Sequence, residues 1–241
     1  MKKEFLAICI LCAAFVACNN SQKNGDDKKE DATTLKAGIW LDEAQYKAAD
    51  PLAEFLYMKL DKNGESFDLS IPCDMDRQNG KLTKNGDVFE SKDIPGIKIK
   101  ADGDALNVNF EGSELVNCQN VGKKSAKFVF LEGCEDAAQI ANAVFFSGNF
   151  EGTDENKTPF PLKFNIDGSF EGWQEFVKFY ISNNASAPLL VFVDHTESKT
   201  AYQLEIKDKN FNLYEVLNQD DALGRDAEIE KGKKVFSVLR K

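Results

Sequence analysis

IKIKADGDALNVNF, residues 97–110, carries the pattern on which the fold turns. Ile97 and Ile99 alternate with lysines. After Asp102-Gly103, Leu106, Val108 and Phe110 alternate with asparagines. Successive side chains of an extended chain face opposite ways, so a period of two separates one apolar face from one polar face. Asp-Gly between the two runs supplies the positive φ that a tight turn requires. The stretch therefore reads as a β-hairpin with one buried face.

The same grammar recurs on both sides. Phe55–Leu60 leads into Asp61-Lys62-Asn63-Gly64, and Phe67, Leu69 and Ile71 follow at period two. Phe160, Leu162, Phe164 and Ile166 precede Asp167-Gly168, and Phe170 follows. Asn79-Gly80 and Asn85-Gly86 add two more pairs of the kind that type I′ turns use. Further strands are expected at Lys127–Leu131, Glu175–Ile181, Leu189–Val193, Tyr202–Ile206, Phe211–Leu217 and Val235–Leu239. Nineteen Phe against three Met suits aromatic-rich sheet cores.

One helix is expected from Glu135 to about Val144. It has acids in its first turn, an Ala-rich middle, and Ile140 and Val144 four residues apart. A second short helix is considered at Asp220–Lys231. The fold class is all-β, mainly an antiparallel meander closed as a barrel or stacked as a sandwich, with one short helix near the midpoint. The expected organisation is 1–17 signal peptide, 18–34 lipidated N-terminus and tether, 35–133 first β unit, 134–144 helical connector and 145–241 second β unit. Phe-Glu-Gly occurs at 110–112, 150–152 and 170–172, which either a duplicated meander or ordinary strand-end composition would produce.

Hydrophobic residues make up 42% and charged residues 29%, values that exclude a wholly disordered, collagen-like or polytopic membrane chain. The net charge of −10 argues against nucleic acid, whose phosphates need a basic face. A single histidine, His195, excludes multi-histidine metal sites.

The N-terminus carries its own signal. Lys2 and Lys3 precede the apolar run Phe5–Val16, and the chain turns polar at Asn19. A run this short falls below the roughly 20 residues that span a bilayer and fits a cleaved secretory signal. Phe15-Val16-Ala17-Cys18 resembles the lipobox of bacterial lipoproteins, with Phe15 where Leu is usual. The resemblance implies acylation of Cys18, a membrane partner through that anchor, and residence in the bacterial cell envelope. Asn19 in place of Asp leans toward the outer membrane. Residues 19–34 contain no large apolar side chain and read as a flexible tether. Some envelope lipoproteins use an acidic stretch close after the Cys as a surface-export signal; here the acids, Asp26-Asp27 and Glu30-Asp31, begin eight residues on. Gly148-Asn149-Phe150-Glu151-Gly152, continuing to Phe170, resembles the opening hairpin of small lipocalin-like barrel lipoproteins, which implies fold class alone.

Cys73, Cys118 and Cys134 remain after processing. An oxidising envelope favours one disulfide plus one buried thiol. Cys118–Cys134, flanking Phe128–Leu131, is the preferred pair, Cys73–Cys118 the second, and three buried thiols the alternative. No CxxC is present, which leaves thioredoxin-type redox chemistry and zinc ribbons without support.

The chemistry-bearing residues form no recognisable constellation. His195 follows Asp194, but neighbours on a strand face opposite ways. Asp61-Lys62-Asn63-Gly64-Glu65 lacks the closing Glu of a calcium loop, since position twelve is Pro72. Asp74 and Asp76 read as a solvated loop. Glu111, Glu151 and Glu171 are candidate glycosidase acids, and Trp40 and Trp173 candidate sugar platforms with a core role as the default. No catalytic residue, metal or cofactor is expected. The expected function is a non-catalytic, anchored module binding a small apolar ligand or an envelope protein. The alternatives are an envelope glycan hydrolase and a structural subunit.

Overall fold

Among the described residues, thirteen of the fifteen successive strand pairs are antiparallel neighbours, as short alternating runs joined by tight turns dictate. The computed structural model describes residues 35–74, 76–183, 187–223 and 228–241. The expected signal peptide, Cys18 and the tether lie outside the described residues. Among those described, no helix is long and apolar enough to cross a membrane.

The first eight strands are β1 (Gly38–Asp42), β2 (Tyr57–Asn63), β3 (Ser66–Cys73), β4 (Asp76–Asn85), β5 (Val88–Ser91), β6 (Lys98–Asp102), β7 (Ala105–Asn109) and β8 (Ser125–Phe130). They form a closed barrel, with β8 returning to β1 through Trp40↔Phe130 and Asp42↔Phe128. A six-residue helix α1 (Glu43–Ala48) follows β1 and is capped by Asp42. The barrel interior is filled by its own side chains. Met58, Leu60, Leu69, Ile71, Leu82 and Ile99 are all buried in one cluster with Phe110 and Phe128.

The turns refine the sequence reading. Asn63 pairs with Ser66, Asn85 with Val88, and Asp102 with Ala105. The two loop residues are therefore Gly64-Glu65, Gly86-Asp87 and Gly103-Asp104, and only the glycines have positive φ. Glycine at the first loop position is the type II′ pattern, one residue out of step with the expected I′ turns. Asn79-Gly80 is no turn at all. It lies inside β4, opposite Ser70 and Leu69. Gly80 is there for proximity, because a Cβ would stand 2.4 Å from the Ser91 hydroxyl.

One end of the first barrel is covered by the crossing between β7 and β8. A 3₁₀ turn, Glu114–Asn117, buries Leu115 there. Cys118 is bonded to Cys73 at the end of β3, with Cα atoms 5.2 Å apart. The preferred pair Cys118–Cys134 does not form. The two residues lie beyond opposite ends of β8, and six strand residues span about 20 Å, three times what a disulfide bridges. Cys134 is instead a buried free thiol. Burial, reinforced by Asp136, pushes that thiol up to about 11.

The midpoint segment is helical but irregular. It begins as a 3₁₀ turn, Ala137–Gln139, and widens to a π turn, Asn142–Phe146, where the Ser147 N–H reaches the Asn142 carbonyl at 2.7 Å. The wide turn puts Val144, Phe145 and Phe146 inward together. They plug the second set of strands: β9 (Gly148–Thr153), β10 (Pro159–Phe164), β11 (Phe170–Glu171), β12 (Phe176–Asn183), β13 (Pro188–Asp194), β14 (Lys199–Lys207), β15 (Asn210–Val216) and β16 (Lys231–Arg240). Here too the last strand returns to the first, β16 to β9. The seam between β11 and β12 is held by one bridge, Ser169↔Lys178, and by the Phe179 N–H on the Gly168 carbonyl at 2.8 Å. The second expected helix is a single turn, α2 (Gln219–Ala222).

The core of this second barrel is a phenylalanine lattice. Phe164 alone stands within 4.8–6.3 Å of Phe146, Phe150, Phe170, Phe179, Phe192 and Phe211, centroid to centroid. Ile39 and Leu41, on the outer face of β1, belong to the same buried cluster. The two barrels thus share a core. The Phe-Glu-Gly triplets mark no duplication, because they fall at the end of β7, on β9 and on β11, the seventh, first and third strands of their barrels.

Candidate functional site

With both interiors filled, the places open to a ligand are at the surface. One of them is a cleft of about 460 Å³ at one mouth of the second barrel, lined by Phe160, Trp173, Tyr202 and Phe236. Local backbone rules place each ring. Phe160 faces Gly152 across β9 and β10, and a Cβ at Gly152 would lie 2.4 Å from the ring. The missing side chain lets Phe160 lie across the neighbouring strand and reach Phe236 edge-on at 5.7 Å. Trp173 sits in the turn between β11 and β12, flanked by Gly172 (φ 110°) and Gln174 (φ 51°). A Cβ at Gly172 would meet the Pro161 carbonyl oxygen at 2.2 Å, so only glycine lets this turn tuck against β10. The indole is then held edge-to-face on Phe236 at 4.5 Å, and on Phe192 and Tyr202 at 5.3 Å.

The rim is acidic. Asp154 spends one carboxylate oxygen on the Asn156 and Thr158 N–H groups, which shapes the β9–β10 turn. Glu155 pairs with Lys233 at 3.2 Å. Glu215 is opposite Tyr202 across β14 and β15 and follows Phe211 and Leu213 on the inward phase of its strand. It has no ion-pair partner among the described residues. Burial, and secondarily the Glu215 charge, push the Tyr202 phenol up to about 12. The cleft is therefore lined by part-exposed Phe160 and Trp173 over buried Tyr202 and Phe236, with the Glu215 carboxylate in its wall beside Gly232.

The residues singled out from sequence go elsewhere. Trp40 is core, tilted on Phe130 at 5.2 Å with its indole N–H on the Lys36 carbonyl. Trp173, by contrast, lines a cleft. His195 is exposed in the β13–β14 turn. Asp194 is committed to the Thr196 hydroxyl and to the Thr196 and Ser198 N–H groups, which hold its carboxyl below the usual range. Asp74 accepts from the Gln119 N–H at 2.7 Å and braces the β7–β8 crossing.

Glu151 and Glu171 do share an outer groove of about 560 Å³ beside β10, but Glu111 is on the first barrel, paired with Lys124 at 3.4 Å. Glu151 meets Lys241 at 2.7 Å and Glu171 meets Lys163 at 2.9 Å. The Lys163 hydrogen bond holds the Glu171 carboxyl below its ordinary range, the reverse of what a general acid needs. A third cleft, also about 560 Å³, lies against the disulfide, with Asp74, Asp93 and Glu114 at its edge. Asp93 is occupied there by the Lys81 N–H. Among the described residues no three His, Cys, Asp or Glu side chains are grouped to hold a metal.

No protein-family model matches the chain, and comparison with curated proteins and with solved structures returns no match. The reading of the site rests on its own geometry. Sequence reasoning named Trp173 but passed over Phe160, Tyr202, Phe236 and Glu215. A signal for the last was present: Phe211, Leu213 and Glu215 share one phase of a strand, and a carboxylate on the apolar phase belongs either to a buried pair or to a site.

Proposed function

We propose that this chain is a lipid-anchored envelope protein, acylated at Cys18, that works as a non-catalytic binding module through the mouth of its second barrel. The observation that carries the reading is the cleft itself, with part-exposed Phe160 and Trp173 over a floor of buried Tyr202 and Phe236, beside barrels packed solid with their own side chains. A few aromatic walls with convergent polar groups describe small-ligand sites in general. The ligand is one that inserts a ring or an apolar head from outside, rather than one swallowed into a barrel as in lipocalins. The resemblance of residues 1–18 to a lipoprotein signal supports the anchor, and the Cys73–Cys118 bond is of the kind that oxidising compartments sustain. The tether of residues 19–34 lifts the barrels off the bilayer.

Trp173 is its own reporter. The full-length chain in nonionic detergent micelles is titrated with a panel of sugars, aromatic amino acids and alkylammonium compounds while tryptophan emission is followed. Trp173→Phe identifies the part of the signal that belongs to the cleft. A saturable change for at least one class, absent in Trp173→Phe, is the expected result. No change across the panel, or a change that survives Trp173→Phe, overturns the assignment of the site.

A further inference from the structure

The charge of the cleft says more than its apolar walls do. Glu215 occupies an inward strand position at the open end of the barrel, across from Tyr202, and no lysine or arginine among the described residues neutralises it. The one cation on the rim, Lys233, is taken by Glu155. A carboxylate that shares a cleft with part-exposed aromatic rings is complementary to a group that is positive and weakly hydrated. The ring faces attract a cation through their quadrupoles, with Trp the strongest, and the carboxylate adds direct Coulomb attraction. An anion would meet the unpaired Glu215, with Glu155 and Lys233 cancelling each other, and a neutral sugar would leave Glu215 without a counter-charge.

We propose that the cleft binds a small organic cation of the quaternary or alkylated ammonium class, its methyl groups against the part-exposed Trp173 and Phe160 and its charge against Glu215. This rests on the cleft being the binding site and adds the chemical class of the ligand. Tyr202 contributes a ring whose hydroxyl stays protonated at neutral pH, so the phenol adds no second negative charge there.

Choline and its uncharged carbon isostere, in which a tert-butyl group replaces the trimethylammonium, separate shape from charge. Each is titrated into the full-length chain in nonionic detergent, with Trp173 emission and calorimetry as readouts. Choline is expected to bind at least about fivefold more tightly than the isostere, the ratio that a cation–π contact supplies. Glu215→Gln is expected to bring choline down to the isostere. Salt provides a test independent of any variant. Shortening the screening length from ~30 Å to ~8 Å should weaken choline and leave the isostere unchanged. Equal affinities, or a Glu215→Gln protein that binds choline as before, overturn the cation inference while the cleft stands as a site. If choline fails but another compound moves Trp173, the inference likewise falls alone. If nothing moves Trp173, both fall.

Discussion

Removing the Cys73–Cys118 bond tests how the first barrel is closed. The perturbation is Cys73→Ala with Cys118→Ala, checked against the parent under reductant so that the loss of two side chains is separated from the loss of the crosslink. The bond closes a segment with a sequence separation of 45. In the chain-entropy account, freeing a loop of this length costs about 4 kcal/mol at 25 °C. Strain relieved on opening would reduce that figure. Structure remaining in the unfolded chain would reduce it too. For a protein of this size a loss of that order lowers Tm by about 8 to 16 °C. Urea unfolding followed by circular dichroism reads the same quantity as a shift in midpoint. Thiol titration checks the pairing directly. The folded protein should expose no reactive thiol from Cys73, Cys118 or Cys134. Unfolding should release one, from Cys134, and reduction should release all three. A loss below about 1 kcal/mol would refute the claim that the crosslink holds the Glu114–Asn117 turn over the barrel end, given the loop it closes. Three free thiols on unfolding without reductant, or a single one that maps to Cys73 or Cys118, would refute the pairing itself.

Two further tests address the second barrel. Phe164→Ala empties the hub of the phenylalanine lattice and should cost about 3–5 kcal/mol, toward the upper end because six rings lose a neighbour. A urea midpoint shift worth less than about 1.5 kcal/mol would mean that the lattice collapses into the gap and is not rigid. The Tyr202 phenol, raised to about 12 from 10.0, should be missing from the alkaline absorbance step near pH 10. A folded pKa above the unfolded one contributes stability that is fully present below about pH 10 and is lost as pH rises toward 12. The difference spectrum between the parent and Tyr202→Phe isolates it, and titration alongside ordinary tyrosines would sink the burial argument.

How much of this was legible beforehand follows from the range of each interaction. Alternation and punctuation are local, and they exposed the meander: Leu106, Val108 and Phe110 face the first core, and Phe160, Leu162 and Phe164 run along β10 as read. The turn type missed by one residue, because Asn-Gly and Gly-Glu are overlapping readings of the same letters and register decides between them. Gly80 shows the limit of the dipeptide rule, since its need for room comes from Ser91 on the next strand. The disulfide was misjudged because sequence separation says nothing of the length of β8 between two cysteines. The cleft is a long-range object. Gly152 clears space for Phe160, and Gly172 for the turn that carries Trp173. None of these pairings is visible before the strands are in register.

The plug has a consequence for the order in which the molecule is made. Val144, Phe145 and Phe146 precede every strand of the barrel whose centre they occupy. A chain emerging N-terminus first has all of β1–β8 available before β9 exists, and with it Ile39 and Leu41 on the outer wall of a finished barrel. The first barrel then offers an apolar surface, with the plug lying next to it in the chain, before the second set of strands arrives. β9–β16 wrap a nucleus already in place, and β16, which follows the other strands in the chain, locks the ring by returning to β9. The first barrel acts as a built-in template for its successor. Circular permutation that moves the plug behind β16 should slow folding of the second barrel far more than it lowers its final stability.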